Sequence, residues 1–168
     1  MTTQAPQQTE SFQKLQAMVK RIDIAMLTTI DKSGNLHSRP MSCNGEFDDD
    51  GTLWFFTSSQ SPKVDEIDRQ QQVNVSFADP NKQEYVSLSG TAQIVQDQQQ
   101  LQRRWRPTLQ AWFPKGLEDP TIALLKVTIA KAEYWDAPSG FVAHTLGLLK
   151  AVATGEPANG GENKKMTL

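Results

Sequence analysis

The sequence predicts a mainly β, α+β domain: an antiparallel barrel of six or seven strands with flanking helices. Three observations predict it. Short segments rich in Val, Ile, Phe, Trp and Thr alternate apolar and polar residues; turn residues separate them at hairpin spacing; and few helical stretches could serve as crossovers. Closing such a sheet removes exposed edges, which keeps a small β protein from pairing with its neighbours. At 168 residues the chain is one domain of ordinary size, large enough for a real core.

The elements follow in order. Residues 1–8 are polar and predict a disordered N-terminus. A helix is expected from Thr9 or Ser11, because Phe12, Leu15, Met18, Val19 and Ile22 recur at helical spacing. Residues 24–31 alternate as a strand, Lys32-Ser33-Gly34-Asn35 turns the chain, and 36–43 returns antiparallel. Asp48-Asp49-Asp50-Gly51 makes the next turn into an aromatic strand over 52–57. Ser61-Pro62 opens a short charged helix with Val64 and Ile67 facing inward. Val73, Val75 and Phe77 share one face of a strand, and Val86, Leu88, Gly90, Ala92 and Ile94 one face of a longer strand that bends at Gly90. Residues 98–105 read as a helix that Pro107 ends. Residues 122–129 read as a central strand, 133–136 as a final short strand, and Phe141, Thr145, Leu148, Leu149 and Val152 as a last amphipathic helix. The barrel domain is thus expected over 9–153 and a polar tail over 154–168.

A formal net charge of −2, with basic residues scattered and not laid out as a stripe, gives no reason to expect nucleic acid or an anionic membrane as partner. No apolar run approaches the roughly 20 residues of a membrane span, and the first residues have neither a basic start nor an apolar core of a leader. A cytoplasmic protein is the expectation. The single cysteine, Cys43, excludes an internal disulfide and a cysteine-based zinc site and reads as a buried or interface thiol. His37 and His144 have no acidic companions at metal spacing, and His37 reads as an exposed or interface residue. Neither G-x-G-x-x-G nor a P-loop is present.

The chemistry concentrates in Ser38-Arg39-Pro40-Met41 and in Phe56-Thr57-Ser58-Ser59-Gln60-Ser61-Pro62-Lys63. Proline after Arg39 holds the arginine backbone extended and gives its side chain a defined direction. An arginine on a strand is ordinarily a solvated charge, and lysine in a first helical turn is commonplace. Here, however, the lysine opposes the helix dipole at a small cost that a bound anion would reverse. Two cations, several hydroxyls and a helix N-terminus suit a phosphate monoester dianion, and the aromatic residues suit a flat ring attached to it. Arg103, Arg104 and Arg106 read as a charged helix face.

In order and spacing these motifs resemble the flavin-binding split barrels related to pyridoxamine 5'-phosphate oxidase, and the whole chain most resembles the general stress protein 26 group. The resemblance implies a split β-barrel binding FMN or FAD, with Arg39 and Lys63 on the phosphate. Ser38, Pro40 and Met41 would run beside the ring, and Phe56, Thr57, Ser58 and Ser61 would lie near ring and phosphate; Met41 and Phe56 read equally well as core. It further implies a homodimer with flavin at the subunit interface and aromatic cover from the partner. Trp112, in Trp112-Phe113-Pro114-Lys115-Gly116, and Trp135, in Glu133-Tyr134-Trp135-Asp136, are the candidates, although core packing explains most such residues equally well. Gly161-Glu162-Asn163-Lys164-Lys165 resembles the group's tail and reads as a solvated terminus. The expected function is a flavin-dependent oxidoreductase linked to stress response. The alternatives are a non-enzymatic flavin or deazaflavin carrier or sensor, and, below these, a true pyridoxamine 5'-phosphate oxidase, whose C-terminal arginine and histidine motif is not found.

Overall fold

The computed structural model describes residues 6–43, 46–137, 149–150, 152–155 and 161–168. Its elements are α1 (Pro6–Ile22), β1 (Ile24–Ile30), β2 (Leu36–Ser42), β3 (Thr52–Ser58), α2 (Pro62–Arg69), β4 (Gln72–Asp79), β5 (Glu84–Val95), α3 (Gln98–Arg104), 3-10 turns at Pro107–Ala111 and Gly116–Glu118, β6 (Ile122–Asp136) and β7 (Glu162–Thr167). The strands form one antiparallel sheet in the order β2-β1-β4-β5-β6-β3, with β7 also on β6. The sheet curls so that its end strands, β2 and β3, approach without pairing. This is a split barrel, and the split is the seam between β2 and β3.

Local chemistry explains the pieces. Leu15, Met18 and Val19 put the buried stripe of α1 against the barrel, and Pro6 suits the first helical turn, so the helix begins earlier than the polar composition of residues 1–8 predicts. The β1–β2 turn is fixed by the Asp31 carboxylate accepting from the Ser33 and Asn35 amides, with Gly34 supplying the positive φ of 83°. At Ser89/Gly90 the β5–β6 register shifts, and a Cβ on Gly90 would collide with the Thr128 carbonyl. The bend expected there is a β-bulge that only glycine permits.

Two apolar cores result. The larger fills the barrel with Leu27, Leu53, Phe55, Val75, Leu88 and Leu125 among others. The smaller lies outside it, where Trp54, Phe56, Ile122 and Leu124 pack under Leu101 and Leu109 of the 98–120 segment. Alternation sends Leu53 and Phe55 into the first core and Trp54 and Phe56 into the second. That double burial is why β3 is aromatic and apolar on both faces.

Several expectations are corrected. Residues 122–136 form one strand of 15 residues, not two. Its first half pairs with β3 and its second half with β7 on the same edge. The C-terminal stretch is therefore not a free polar tail. Without it the edge of β6 from Lys131 to Asp136 would lack a partner; β7 satisfies that edge and buries Met166. Lys164 and Lys165 stand on this strand, with Lys165 facing Glu133 at 3.8 Å. Lys14 of α1 clamps the end of the sheet through Asp136 at 2.5 Å and Glu162 at 2.6 Å. Burial works against its charge, yet those carboxylates hold its pKa above the ordinary range. The helix expected around Phe141 and Val152 falls largely outside the described residues; 149–150 and 152–154 are helical. Among the described residues no helix is long and apolar enough to cross a membrane.

Candidate functional site

A cavity of about 430 Å³ opens at the split, within the roughly 300–1,000 Å³ span of small-molecule sites. Pro40, Met41 and Ser42 of β2 form one wall, together with Ile24. Phe56, Thr57 and Ser58 at the end of β3 form another, continued by Ser61 and Lys63 at the start of α2. Leu109, Trp112 and Phe113 close it from the 98–120 segment. Each wall has a local cause. Proline in the outer strand β2 costs no ladder bond toward solvent, and β3 ends where Ser59 N donates to Thr121 O at 2.8 Å. Ser61 caps α2 with extended backbone (φ −71°, ψ 141°) and Pro62 fills its first turn. The 3-10 turn presents Trp112, whose amide donates to Leu109 O at 3.0 Å while its side chain stays 76% exposed.

The polar end of this cavity is short of negative charge. Lys63 Nζ donates to Ser61 Oγ at 2.6 Å and is half-buried. Its pKa is pushed below the ordinary lysine value first by that burial and then by the charge of Arg39, with Glu66 acting against both. The two cations therefore act on each other across the seam. Thr57 Oγ1, beside them, is buried and has no hydrogen-bond partner among the described residues. A buried hydroxyl left unpaired costs about 1–3 kcal/mol, so its position in a cavity wall points to an absent polar partner.

The two remaining members of the β2 motif stand differently. Arg39 does not line the cavity: Nη1 donates to Thr29 Oγ1 at 2.7 Å and Nη2 to Glu66 Oε2 at 2.5 Å. Ser38 Oγ bonds Thr28 Oγ1 at 2.7 Å, also outside the cavity wall. Burial opposes the charge on Glu66, but the Thr29 hydroxyl and the Arg39 guanidinium together hold its carboxyl below the usual range. His37, 58% exposed, lies 3.5 Å from Glu66 Oε1.

Thus Pro40, Met41, Phe56, Thr57, Ser58, Ser61, Lys63 and Trp112 share one cavity, and Ser38 and Arg39 stand on the adjoining strand. Trp135 does not join them. It lies at the far end of β6, cross-strand from Tyr85, in a separate depression with Asp136 and Glu162. Ile24, Ser42, Leu109 and Phe113 of the cavity wall, and Glu66 on Arg39 beside it, are the members that sequence reasoning does not single out. Leu109 and Phe113 were legible in principle, flanking Trp112 four residues apart, whereas nothing marks Glu66 among Asp65, Glu66 and Asp68.

Arg104 corrects the expectation of a charged face over 103–106. It is 3% exposed, donates to Glu46 Oε2 at 2.9 Å and Asp48 Oδ2 at 2.6 Å, and stacks 4.2 Å over the Trp54 ring. Trp54 Nε1 also donates to Asp48 Oδ2, at 2.8 Å, and Arg106 Nη2 to Glu46 Oε1, at 2.8 Å. This cluster ties the 98–120 segment, and so one wall of the cavity, to the loop before β3.

Comparison with known proteins agrees with this fold. The family described as pyridoxamine 5'-phosphate oxidase like matches residues 10–159. Protein bli-3 of Neurospora crassa is 32% identical over 143 residues, covering 80% of this chain and 68% of that protein. General stress protein 26 of Bacillus subtilis is 28% identical over 122 residues, covering 68% of this chain and 81% of that protein. The crystal structure of a general stress FMN/FAD binding protein from Xanthomonas citri superposes with a TM-score of 0.67 at 28% identity, over 82% of this chain and 94% of that one. With a split barrel, a cavity at its seam and a family match over most of its length, the chain belongs to the pyridoxamine 5'-phosphate oxidase-like family, in its general stress protein 26 group.

Proposed function

We propose that this protein binds FMN or FAD in the cavity at the split and serves as a flavin-dependent oxidoreductase in stress response. The observation that carries the reading is the polar end of the cavity, where half-buried Lys63 and the unpartnered buried hydroxyl of Thr57 adjoin Ser58 and Ser61. A phosphate monoester would accept from all of these groups, offset the burial and the Arg39 charge that depress the Lys63 pKa, and pair Thr57. Arg39 would add its charge from β2. Phe56, Met41 and Phe113 supply apolar walls for a ring, and the similar Xanthomonas citri protein is described as FMN/FAD binding. Flavin supplies the electron transfer when bound; the chain binds, orients and shields it.

The proposed assembly is a homodimer with flavin at the subunit interface. Trp112 supports it: an indole 76% exposed at the rim of an apolar cavity leaves the ring site open on one side, which a second subunit would close. Trp135 and Tyr85, each 38% exposed and paired across β5 and β6, offer the matching aromatic cover from a partner. A second reading, a carrier or sensor without turnover, is favoured by the cavity lining: among its described residues Lys63 is the one ionisable side chain, so no acid–base pair faces a substrate.

One preparation tests these points together. Purified protein should be yellow, with a flavin spectrum and the mass of a dimer by light scattering. Bleaching by NADH or NADPH supports the oxidoreductase, and a spectrum unchanged by either supports the carrier. Failure to bind added FMN or FAD contradicts both.

A further inference from the structure

Glu66 follows Lys63 by three residues on α2, so both side chains leave the same helix face toward the seam. The Glu66 carboxylate reaches back to the sheet. Its Oε2 accepts from Thr29 Oγ1 at 2.5 Å and from Arg39 Nη2 at 2.5 Å. Arg39 Nη1 is bonded to Thr29, and Nη2 also meets His37 Nδ1 at 2.8 Å; because a guanidinium only donates, that ring nitrogen is the acceptor. Arg39 and Glu66 are 16% and 14% exposed, so their attraction is little screened. The guanidinium is thus turned onto a carboxylate of the chain itself, away from the cavity, while its charge still depresses the pKa of Lys63.

We infer that Glu66 is an internal competitor of the ligand phosphate for Arg39, and so the residue that sets how strongly this site prefers a phosphorylated flavin. The inference rests on the flavin reading above. A dianion entering beside Lys63 meets a second cation already neutralised by Glu66. Arg39 helps only as far as the phosphate draws the guanidinium from Glu66. Binding is correspondingly weaker than two free cations would give, and release correspondingly easier. A ligand without phosphate makes no demand on Arg39 and is indifferent to Glu66.

Titrations with FMN and with riboflavin, followed by quenching of flavin fluorescence, test this in the wild type, Glu66→Gln, Arg39→Ala and the double variant. Glutamine keeps the size of Glu66 and an acceptor for Thr29 while removing the charge, and Glu66→Ala provides a second removal with a different packing cost. Freed of one charge-assisted bond, Arg39 should tighten FMN binding about tenfold, with riboflavin unchanged, and Arg39→Ala should abolish the gain. An FMN affinity that is unchanged or weaker in both Glu66 variants overturns the inference, because the carboxylate would then be neutral or orienting. A gain that persists without Arg39 overturns it as well. Wild type that binds FMN no better than riboflavin, or binds neither, removes the phosphate reading itself and this inference with it.

Discussion

Two arginine–carboxylate clusters lie on either side of β3, and they do opposite things. Around Arg104 the charges balance: Arg104 and Arg106 against Glu46 and Asp48, two of each sign, with the guanidinium 3% exposed over Trp54. Around Arg39 they do not: among the described residues Arg39 and Lys63 face Glu66 alone, two cations to one carboxylate, beside a hydroxyl without a partner there and an open cavity. Balanced charge buried against an aromatic ring is structural, here fastening the 98–120 segment to the barrel although Arg104 Nε itself has no hydrogen-bond partner among the described residues. Unbalanced charge at the lip of a cavity suits the phosphate proposed above, and Glu66 meanwhile limits its cost.

The comparison breaks first at Arg104. Arg104→Ala leaves Glu46 and Asp48 without their buried partner and should cost about 3–5 kcal/mol, read by urea unfolding. A loss below about 1 kcal/mol, the worth of a surface ion pair, would make the cluster incidental. On the other side, Lys63→Ala, which leaves the Arg39–Glu66 pair intact, should leave the unfolding transition nearly in place while weakening FMN binding ten- to a hundredfold, since a charge-assisted bond is worth about 1.5–3 kcal/mol. Calorimetric affinity matching the wild type would dissolve the distinction between the clusters.

Lys63 sharpens it further through pH. Its folded pKa lies below its unfolded one, so carrying the charge costs the folded state stability at low pH, and that cost is relieved as pH rises through the depressed value. The same deprotonation removes the ammonium a dianion needs. FMN affinity should therefore fall with rising pH earlier than an ordinary lysine predicts, and Lys63→Arg should abolish that early fall; identical pH profiles for the two proteins would contradict it. The smallest effect belongs to Thr57→Val. Deleting an unpaired hydroxyl should leave the thermal midpoint unchanged or raised, while FMN affinity drops about tenfold, the low end for a hydrogen bond to a charged phosphate. Lower stability with undiminished affinity would mean that Thr57 serves packing alone.

Much of this was legible in the sequence. Period-two alternation and turn residues place β1 to β5, and Ser61-Pro62 places α2, because these signals are local. What stayed hidden depends on remote partners. β7 reads as a tail since Glu162, Asn163, Lys164 and Lys165 carry no strand pattern; the pairing groups on β6 make it a strand. Arg103, Arg104 and Arg106 look alike in sequence, and only Trp54, Glu46 and Asp48 distinguish the buried one. Likewise Glu66 differs from Asp65 and Asp68 only in facing Thr29 and Arg39. Pro40, Met41, Phe56, Thr57, Ser58, Ser61, Lys63 and Trp112 come together in the cavity, whereas Ser38 and Arg39 stand outside its wall and Trp135 lies at the far end of its strand.

A crystal structure of the protein soaked with FMN bears most directly on the charge imbalance at the seam. The account predicts phosphate within hydrogen-bonding distance of Lys63 Nζ and Thr57 Oγ1, with the ring between Met41 and Phe113. Phosphate bound instead in the depression beside Trp135, with Thr57 still unpaired, would contradict it.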